Sequence, residues 1–299
     1  MNRELIEKEL GGIQILFDEP LKNYTFTKVG GPADVLVFPK TAQEVARVIE
    51  FVQENNYPWL VLGNASNLIV RDGGIRGFVL MLTDMKDYWL EANHLTAQAG
   101  AEIIDVSRFA ADNSLSGLEF ACGIPGSIGG AIFMNAGAYE GEVKDVFIGA
   151  ELLFSDGRVE TWDKDKMDFS YRHSSIQEEQ IIVLSATFSL AEGKQGEILA
   201  KMQELTDLRQ AKQPLEYPSC GSVFKRPVGH FTGPLIQQAG LQGLTIGGAQ
   251  ISTKHAGFIV NINQASAKDY EDLIAHIIKV VEENSGVKLE PEVRIIGEK

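Results

Sequence analysis

The sequence predicts an α+β protein of more than one lobe, and three observations lead there. Apolar runs of strand length alternate with segments of helical periodicity through most of the chain. Two glycine-rich loops interrupt that alternation, and Pro214 and Pro218 break it ahead of a smaller α/β region. At 299 residues the chain is long enough for two or three domains and for a core that needs neither disulfide nor metal.

In order, residues 4–10 read as a short amphipathic helix stopped by Gly11 and Gly12, whose missing side chains tolerate a left-handed end. A loop continues through Thr25, Gly30 and Gly31. Residues 33–38 form an apolar run, and Thr41 with Glu44 three positions later is a capping box that opens a helix to about Asn55. Pro58 starts the buried strand WLVLG. This strand, helix, strand order is a crossover unit, and the apolar runs at 68–70 and 78–82 are expected to extend its sheet. From Leu95 come a strand, a helix over 103–113, and the stretch GIPGSIGGAIFMNAGAY. Ser-Asp-Gly-Arg at 155–158 turns between two hairpin strands. The strand IIVLSATFSL and a helix ending near Gln213 precede the prolines. Beyond them lie SCGSVFKRP, a helix over 234–239, strands around 249–251 and 258–260, a helix over 268–284, and EVRIIG, which returns to an earlier sheet.

Composition excludes several classes of function. A formal net charge of −14, with no run rich in Lys or Arg, repels a phosphate backbone, so no nucleic-acid partner is expected. Nucleotide diphosphates remain possible if backbone N–H groups in glycine-rich turns hold them locally. Cys122 and Cys220 are far apart and form neither a disulfide framework nor a CxxC pair, which fits a reducing compartment. The N-terminal segment lacks a signal peptide's apolar core, and no apolar run is long enough to span a bilayer. The expected location is the cytoplasm, without a membrane partner.

Two loops stand out. Gly63, Asn64, Ala65, Ser66 and Asn67 lie between two apolar strands, where small residues let backbone N–H groups converge on an anionic oxygen. One such loop alone is more often a plain turn. The second, Gly123, Ile124, Pro125, Gly126, Ser127, Ile128, Gly129 and Gly130, is too rich in glycine for a simple connection and allows close approach by a cofactor, though glycines used for helix packing would look the same. Neither loop has the GxGxxG spacing or a Walker lysine.

Other residues are weaker signals singly. Arg172, in SYRHS, puts a charged fork beside hydrogen-bonding groups, as a carboxylate substrate requires, and is equally suited to a surface ion pair. Ser222 sits in a Pro-flanked loop without an adjacent base or a GxSxG elbow. Glu290 and Glu292 alternate around Pro291 and share one face of an extended chain. His94, His173, His230, His255 and His276 show no metal-ligand spacing, so no metal is expected.

Together and in order, GNASNLIV, GIPGSIGGAIFMNAGAY, SYRHS, YPSCGSVFKRP and LEPEVRIIG closely resemble the UDP-N-acetylenolpyruvoylglucosamine reductase (UDP-N-acetylmuramate dehydrogenase) family, over nearly the whole chain. The resemblance implies a two-lobed FAD-binding unit of the vanillyl-alcohol-oxidase (PCMH) type, residues 1–86 and 87–212, a substrate domain at 213–286, and a return segment at 287–299. It implies non-covalent FAD contacts at both glycine-rich loops and at Arg209, with Thr25, Gly30 and Gly31 near the flavin. NADPH would reduce the flavin and leave, and UDP-N-acetylglucosamine enolpyruvate would then take hydride at its terminal vinyl carbon, a step of peptidoglycan precursor synthesis that serves cell-wall biogenesis, cell shape and division. Ser222 would donate the proton to the neighbouring carbon, while Arg172 and Glu292 bind the carboxyl group and stabilise developing charge. Lys212, Lys225, Arg226 and His255 are the substrate-side candidates. After SYRHS the chain lacks a tyrosine-bearing loop, as in the family's shorter subgroup, and Lys28 stands where Arg is common. A monomer is expected. The rival reading is an FAD-dependent alcohol or hydroxy-acid oxidase on the same scaffold, which would react with oxygen.

Overall fold

The computed structural model describes all residues, Met1–Lys299, which group into two compact units. The first comprises Met1–Phe17, Val35–Asn64 and Gly77–Leu208, and the second Asp18–Asp34, Ala65–Arg76 and Arg209–Lys299. Two segments from the first quarter of the sequence therefore belong with the C-terminal region.

In the first unit, the helix Ala42–Glu54 buries Val45, Val48, Ile49 and Val52, a three-and-four spacing that gives one apolar stripe. That stripe packs with Val35, Val37, Phe78 and Leu80 of a four-stranded sheet ordered Gln14–Pro20, Pro32–Phe38, Ile75–Met81, Trp59–Leu62. Each fully buried side chain of this kind contributes about 1.5–3 kcal/mol. Thr41 Oγ1 caps the helix by accepting from Glu44 N at 3.1 Å, but the Glu44 carboxylate accepts from Lys40 N rather than from Thr41 N. Half of the expected capping box is thus displaced by one residue.

A five-stranded antiparallel sheet runs Val159–Trp162, Phe147–Phe154, Ile181–Ser189, His94–Gln98, Tyr88–Glu91. The turn at 155–158 joins its first two strands in the expected hairpin. The helices Ile103–Asp112 and Ile128–Phe133 contribute Ile103, Val106, Ile128 and Ile132 to the same core.

The second unit holds an antiparallel sheet ordered Ser219–Ser222, Phe258–Asn261, Ala249–Ile251, Thr245–Ile246. Its long helix, Ala267–Ser285, opens on a Ser266/Asp269 capping box and stops at Gly286, whose φ of 71° is left-handed. Tyr270, Leu273, Ile274, Ile277 and Val281 form the buried stripe.

Two sequence expectations need correction. Leu68–Val70 does not extend the first sheet; it pairs in parallel with Arg294–Ile296 in a two-stranded sheet of its own. The apolar face decides this, because Ile69 is fully buried with Val29, Phe224 and Val293 in the core of the second unit. The loop expected after Gly12 contains the strand Gln14–Pro20, which is nowhere fully buried and so carries no alternating signal.

Candidate active site

Two glycine-rich loops come together inside the first unit. Gly63 follows the strand Trp59–Leu62, and a Cβ there would lie 2.0 Å from Ser127 Oγ, so a side chain would have to displace that hydroxyl. Ser127 is buried and caps the helix Ile128–Phe133, its Oγ accepting from Gly130 N at 3.3 Å. The loop before it is fixed to the segment after His94–Gln98. Ile103 N donates to Gly126 O at 2.9 Å, Ile128 N to Ala101 O at 2.9 Å and Gly129 N to Ala99 O at 2.8 Å.

Ile124 N and Gly126 N are also engaged, by Ala121 O and Ile124 O. The glycines here consequently serve close approach more than a row of free donors. Gly129 illustrates it, since its Cβ would sit 3.2 Å from that of Ala99, whereas Gly130 is exposed and would meet only Ser127 Oγ at 3.4 Å. Gly123, Ile124 and Pro125 are half-buried. Beside the loops, Asn64, Thr83, Lys86, Tyr88, Gly100 and Glu102 help to line a cavity of about 580 Å³, in the size range of small-molecule sites.

Arg172 occupies a two-residue turn of the same unit. Ser170 and His173 exchange backbone hydrogen bonds of 3.1 and 3.2 Å around it, and Arg172 takes a left-handed φ of 56°. Its Nη2 donates to Gly137 O at 3.0 Å, and its guanidinium lies 5.2 Å from the Tyr171 ring centre.

The second unit gathers Ser222, Glu292 and Asn67 from three distant stretches. Lys225 N donates to Glu290 O at 2.9 Å and Glu292 N to Val223 O at 2.8 Å, laying the serine segment antiparallel to residues 290–292. Asn67 Nδ2 donates to Glu292 O at 3.4 Å, and Arg294 N to Asn67 O at 3.2 Å. Ser222 Oγ donates to Phe224 O at 3.3 Å, a long and loosely held bond. Ala65 is buried at a left-handed φ of 47°, and its carbonyl accepts from Phe26 N at 3.3 Å.

His255 flanks the serine. A Cβ on Gly257 would lie 3.1 Å from His255 Cε1 and 3.7 Å from Ser222 Oγ. Gly257 N donates to His255 Nδ1 at 3.1 Å, so Nδ1 is the unprotonated nitrogen. Burial lowers the His255 pKa, and the nearby Lys212 charge lowers it further. Cys220, two residues before the serine, is buried and its thiol is pushed up to about 12, so it stays protonated. The remaining candidates spread outward. Arg209 O accepts from Gln213 N at 2.8 Å near the end of the helix Gln195–Lys212, Lys225 Nζ is 3.8 Å from a Glu290 carboxylate oxygen, and Arg226 stacks 3.9 Å from the Phe231 ring centre. Ser66 is half-buried.

A flavin nucleotide fits these residues in one respect that packing alone does not explain. Thr27, in the Thr25–Gly31 loop, is fully buried and its Oγ1 has no hydrogen-bond partner in the protein. Such an orphaned group calls for a bound acceptor or donor.

Comparison with known proteins decides the family. Residues 33–163 match the FAD binding domain family, and residues 213–296 match the UDP-N-acetylenolpyruvoylglucosamine reductase C-terminal domain family. The UDP-N-acetylenolpyruvoylglucosamine reductase of Enterococcus faecalis is 61% identical over 100% of this chain and 99% of its own length. The chain belongs to the UDP-N-acetylenolpyruvoylglucosamine reductase family. The Streptococcus mutans reductase is 58% identical over 98% of this chain and 96% of its own length. The crystal structure of the Thermus caldophilus reductase superposes with a TM-score of 0.82 at 35% identity, covering 95% of this chain and 99% of that one. The α+β architecture with an FAD-binding unit is thus that of this reductase family. Thr27, Asn135 and Gln177 are not among the residues that the sequence predicts for the site. Thr27 lies three residues before Gly30, and Asn135 follows a short helix at a φ of 41°, a conformation asparagine tolerates.

Proposed function

We infer that the chain catalyses the NADPH-dependent reduction of UDP-N-acetylglucosamine enolpyruvate to UDP-N-acetylmuramate in peptidoglycan precursor synthesis. It is an FAD-dependent oxidoreductase. The observation that carries this is the match to reductases along the entire chain, through both the flavin half and the C-terminal half.

Bound FAD supplies hydride transfer from NADPH to the terminal vinyl carbon. Gly63 to Asn67 and Gly123 to Gly130 hold the dinucleotide, with Thr27 Oγ1 and Arg209 adding contacts. The guanidinium of Arg172 and the carboxyl group of Glu292 bind the substrate's carboxyl end and stabilise the enolate-like charge. Ser222 gives its Oγ proton to the carbon that bears that carboxylate. Its 3.3 Å bond to Phe224 O is weak enough to be exchanged for this role. Lys212 meets the anionic sugar nucleotide or NADPH, and Lys225, Arg226 and His255 complete the substrate side. The proposed lobes are 1–86 and 87–212 for the flavin and 213–286 for the sugar nucleotide, with 287–299 returning to the first. The proposed form is a monomer acting in the cytoplasm, in keeping with two free cysteines.

The test is an anaerobic visible spectrum of the FAD-loaded protein, reduced with NADPH and then mixed with the enolpyruvyl sugar. Return of the oxidised flavin bands is expected. Bleaching that persists until air enters would instead support the oxidase reading. In the same experiment Ser222→Ala should reduce normally and reoxidise about 10²–10⁴-fold more slowly, the usual loss for a general acid. Equal loss in both steps would remove the proton from Ser222.

A further inference from the structure

Arg172 stands in a left-handed conformation, φ 56°, that side chains other than glycine, asparagine and aspartate rarely adopt. Such a conformation persists only where the surroundings impose it. Two side chains do so. The Gln177 amide Nε2 donates both to Arg172 O at 3.1 Å and to Phe133 O at 2.6 Å, tying the strained carbonyl to the end of the helix Ile128–Phe133. Asn135, fully buried, donates through Nδ2 to Ser170 O at 3.0 Å and to Glu142 Oε2 at 2.7 Å, while its Oδ1 accepts from Lys144 N at 3.0 Å. Ser174 Oγ adds a bond of 2.7 Å to Phe133 O.

The same helix has Ser127, pressed against Gly63, at its other end. At 1.5 Å per residue its six residues span about 9 Å. One rigid element therefore carries a glycine-rich loop at its start and the arginine turn at its finish.

We propose that Gln177 and Asn135 are positioning residues, which hold Arg172 in its left-handed turn so that its guanidinium meets the substrate carboxylate in register with the flavin loop. This rests on the reading of Arg172 as the carboxylate ligand. Gln177 acts through the Arg172 carbonyl and Asn135 through Ser170 O at the base of the turn. Gln177→Met keeps the length and removes the donor. Asn135→Asp keeps the acceptor for Lys144 N, removes both donated bonds and sets a carboxylate against Glu142.

The experiment measures both half-reactions of the FAD-loaded protein. Gln177→Met should slow flavin reoxidation by the enolpyruvyl sugar about tenfold to a hundredfold, the usual cost of a misplaced group, with flavin content and reduction by NADPH unchanged. Asn135→Asp should follow the same pattern. Placed on Arg172→Ala, Gln177→Met should add no further loss. Wild-type reoxidation in Gln177→Met, a loss shared by both half-reactions, or an undiminished loss on the Arg172→Ala background would each overturn the proposal. If Arg172→Ala itself reoxidises normally, the reading of Arg172 falls instead, a result distinct from the others.

Discussion

Gly63 in the first unit and Gly221 in the second are both glycines beside a proposed functional residue, yet they are required for opposite reasons. At Gly63 the limit is space: a methyl group would overlap Ser127 Oγ at 2.0 Å. At Gly221 space is open, with nothing within 4 Å of a Cβ, and the limit is a left-handed φ of 77°. The loop at Gly63 is thus shaped by two distant segments pressed together, and the serine loop by the path of one chain. A clash propagates into whatever the two loops hold, whereas a strained dihedral stays local.

That contrast can be broken most forcefully at Gly63. Gly63→Ala should weaken FAD binding about tenfold to a hundredfold, corresponding to an overpacking cost of about 1–3 kcal/mol, as read by flavin titration of the apoprotein. Adding Ser127→Ala removes the clashing oxygen, so the double variant should bind FAD more tightly than Gly63→Ala alone. Strict additivity would mean that contact is not the cause. Gly221→Ala should leave FAD binding intact and lower stability by about 1 kcal/mol in thermal denaturation, with Gly221→Asn costing less because asparagine tolerates the left-handed region. A large flavin loss there would erase the distinction.

The smallest effect sharpens the second unit alone. His255 is held neutral chiefly by burial and additionally by Lys212, so its pKa lies lower in the folded than in the unfolded protein. The unfolded chain therefore takes up a proton near pH 6.5 that the folded chain resists. Stability from this group is present above that pH and is lost as pH falls through the folded pKa. The fall in melting temperature from pH 7.5 to 5.5 should be smaller in His255→Gln than in wild type. An identical fall in both would show that His255 is not the group concerned.

Local signals in the sequence translated well. The helix Ala42–Glu54 and the hairpin around residues 155–158 depend on caps, periodicity and turn residues a few positions apart. Both glycine-rich loops are visible from composition, whereas Ser222, Arg172 and Glu292 are weak signals singly and take their roles only from family resemblance. What stayed hidden depends on partners far along the chain. Leu68–Val70 looks like any buried strand until Arg294–Ile296 is beside it. Asn135 and Gln177 are ordinary polar residues until folding brings Ser170 O and Arg172 O within 3.0 and 3.1 Å of their amides. The displaced arm of the Thr41 box shows that even a local motif fixes less than its residue pattern implies.

The bonds from Asn67 to residues 292 and 294 span sequence separations of more than two hundred residues, and the strand at Leu68–Val70 waits on the same partner. During synthesis on the ribosome, Asn67 emerges long before either partner exists. At about 5–20 residues per second, some ten to fifty seconds pass before this closure can form. Through that interval Ile69 has no completed core to enter, and the short apolar strand waits on the last residues to be made.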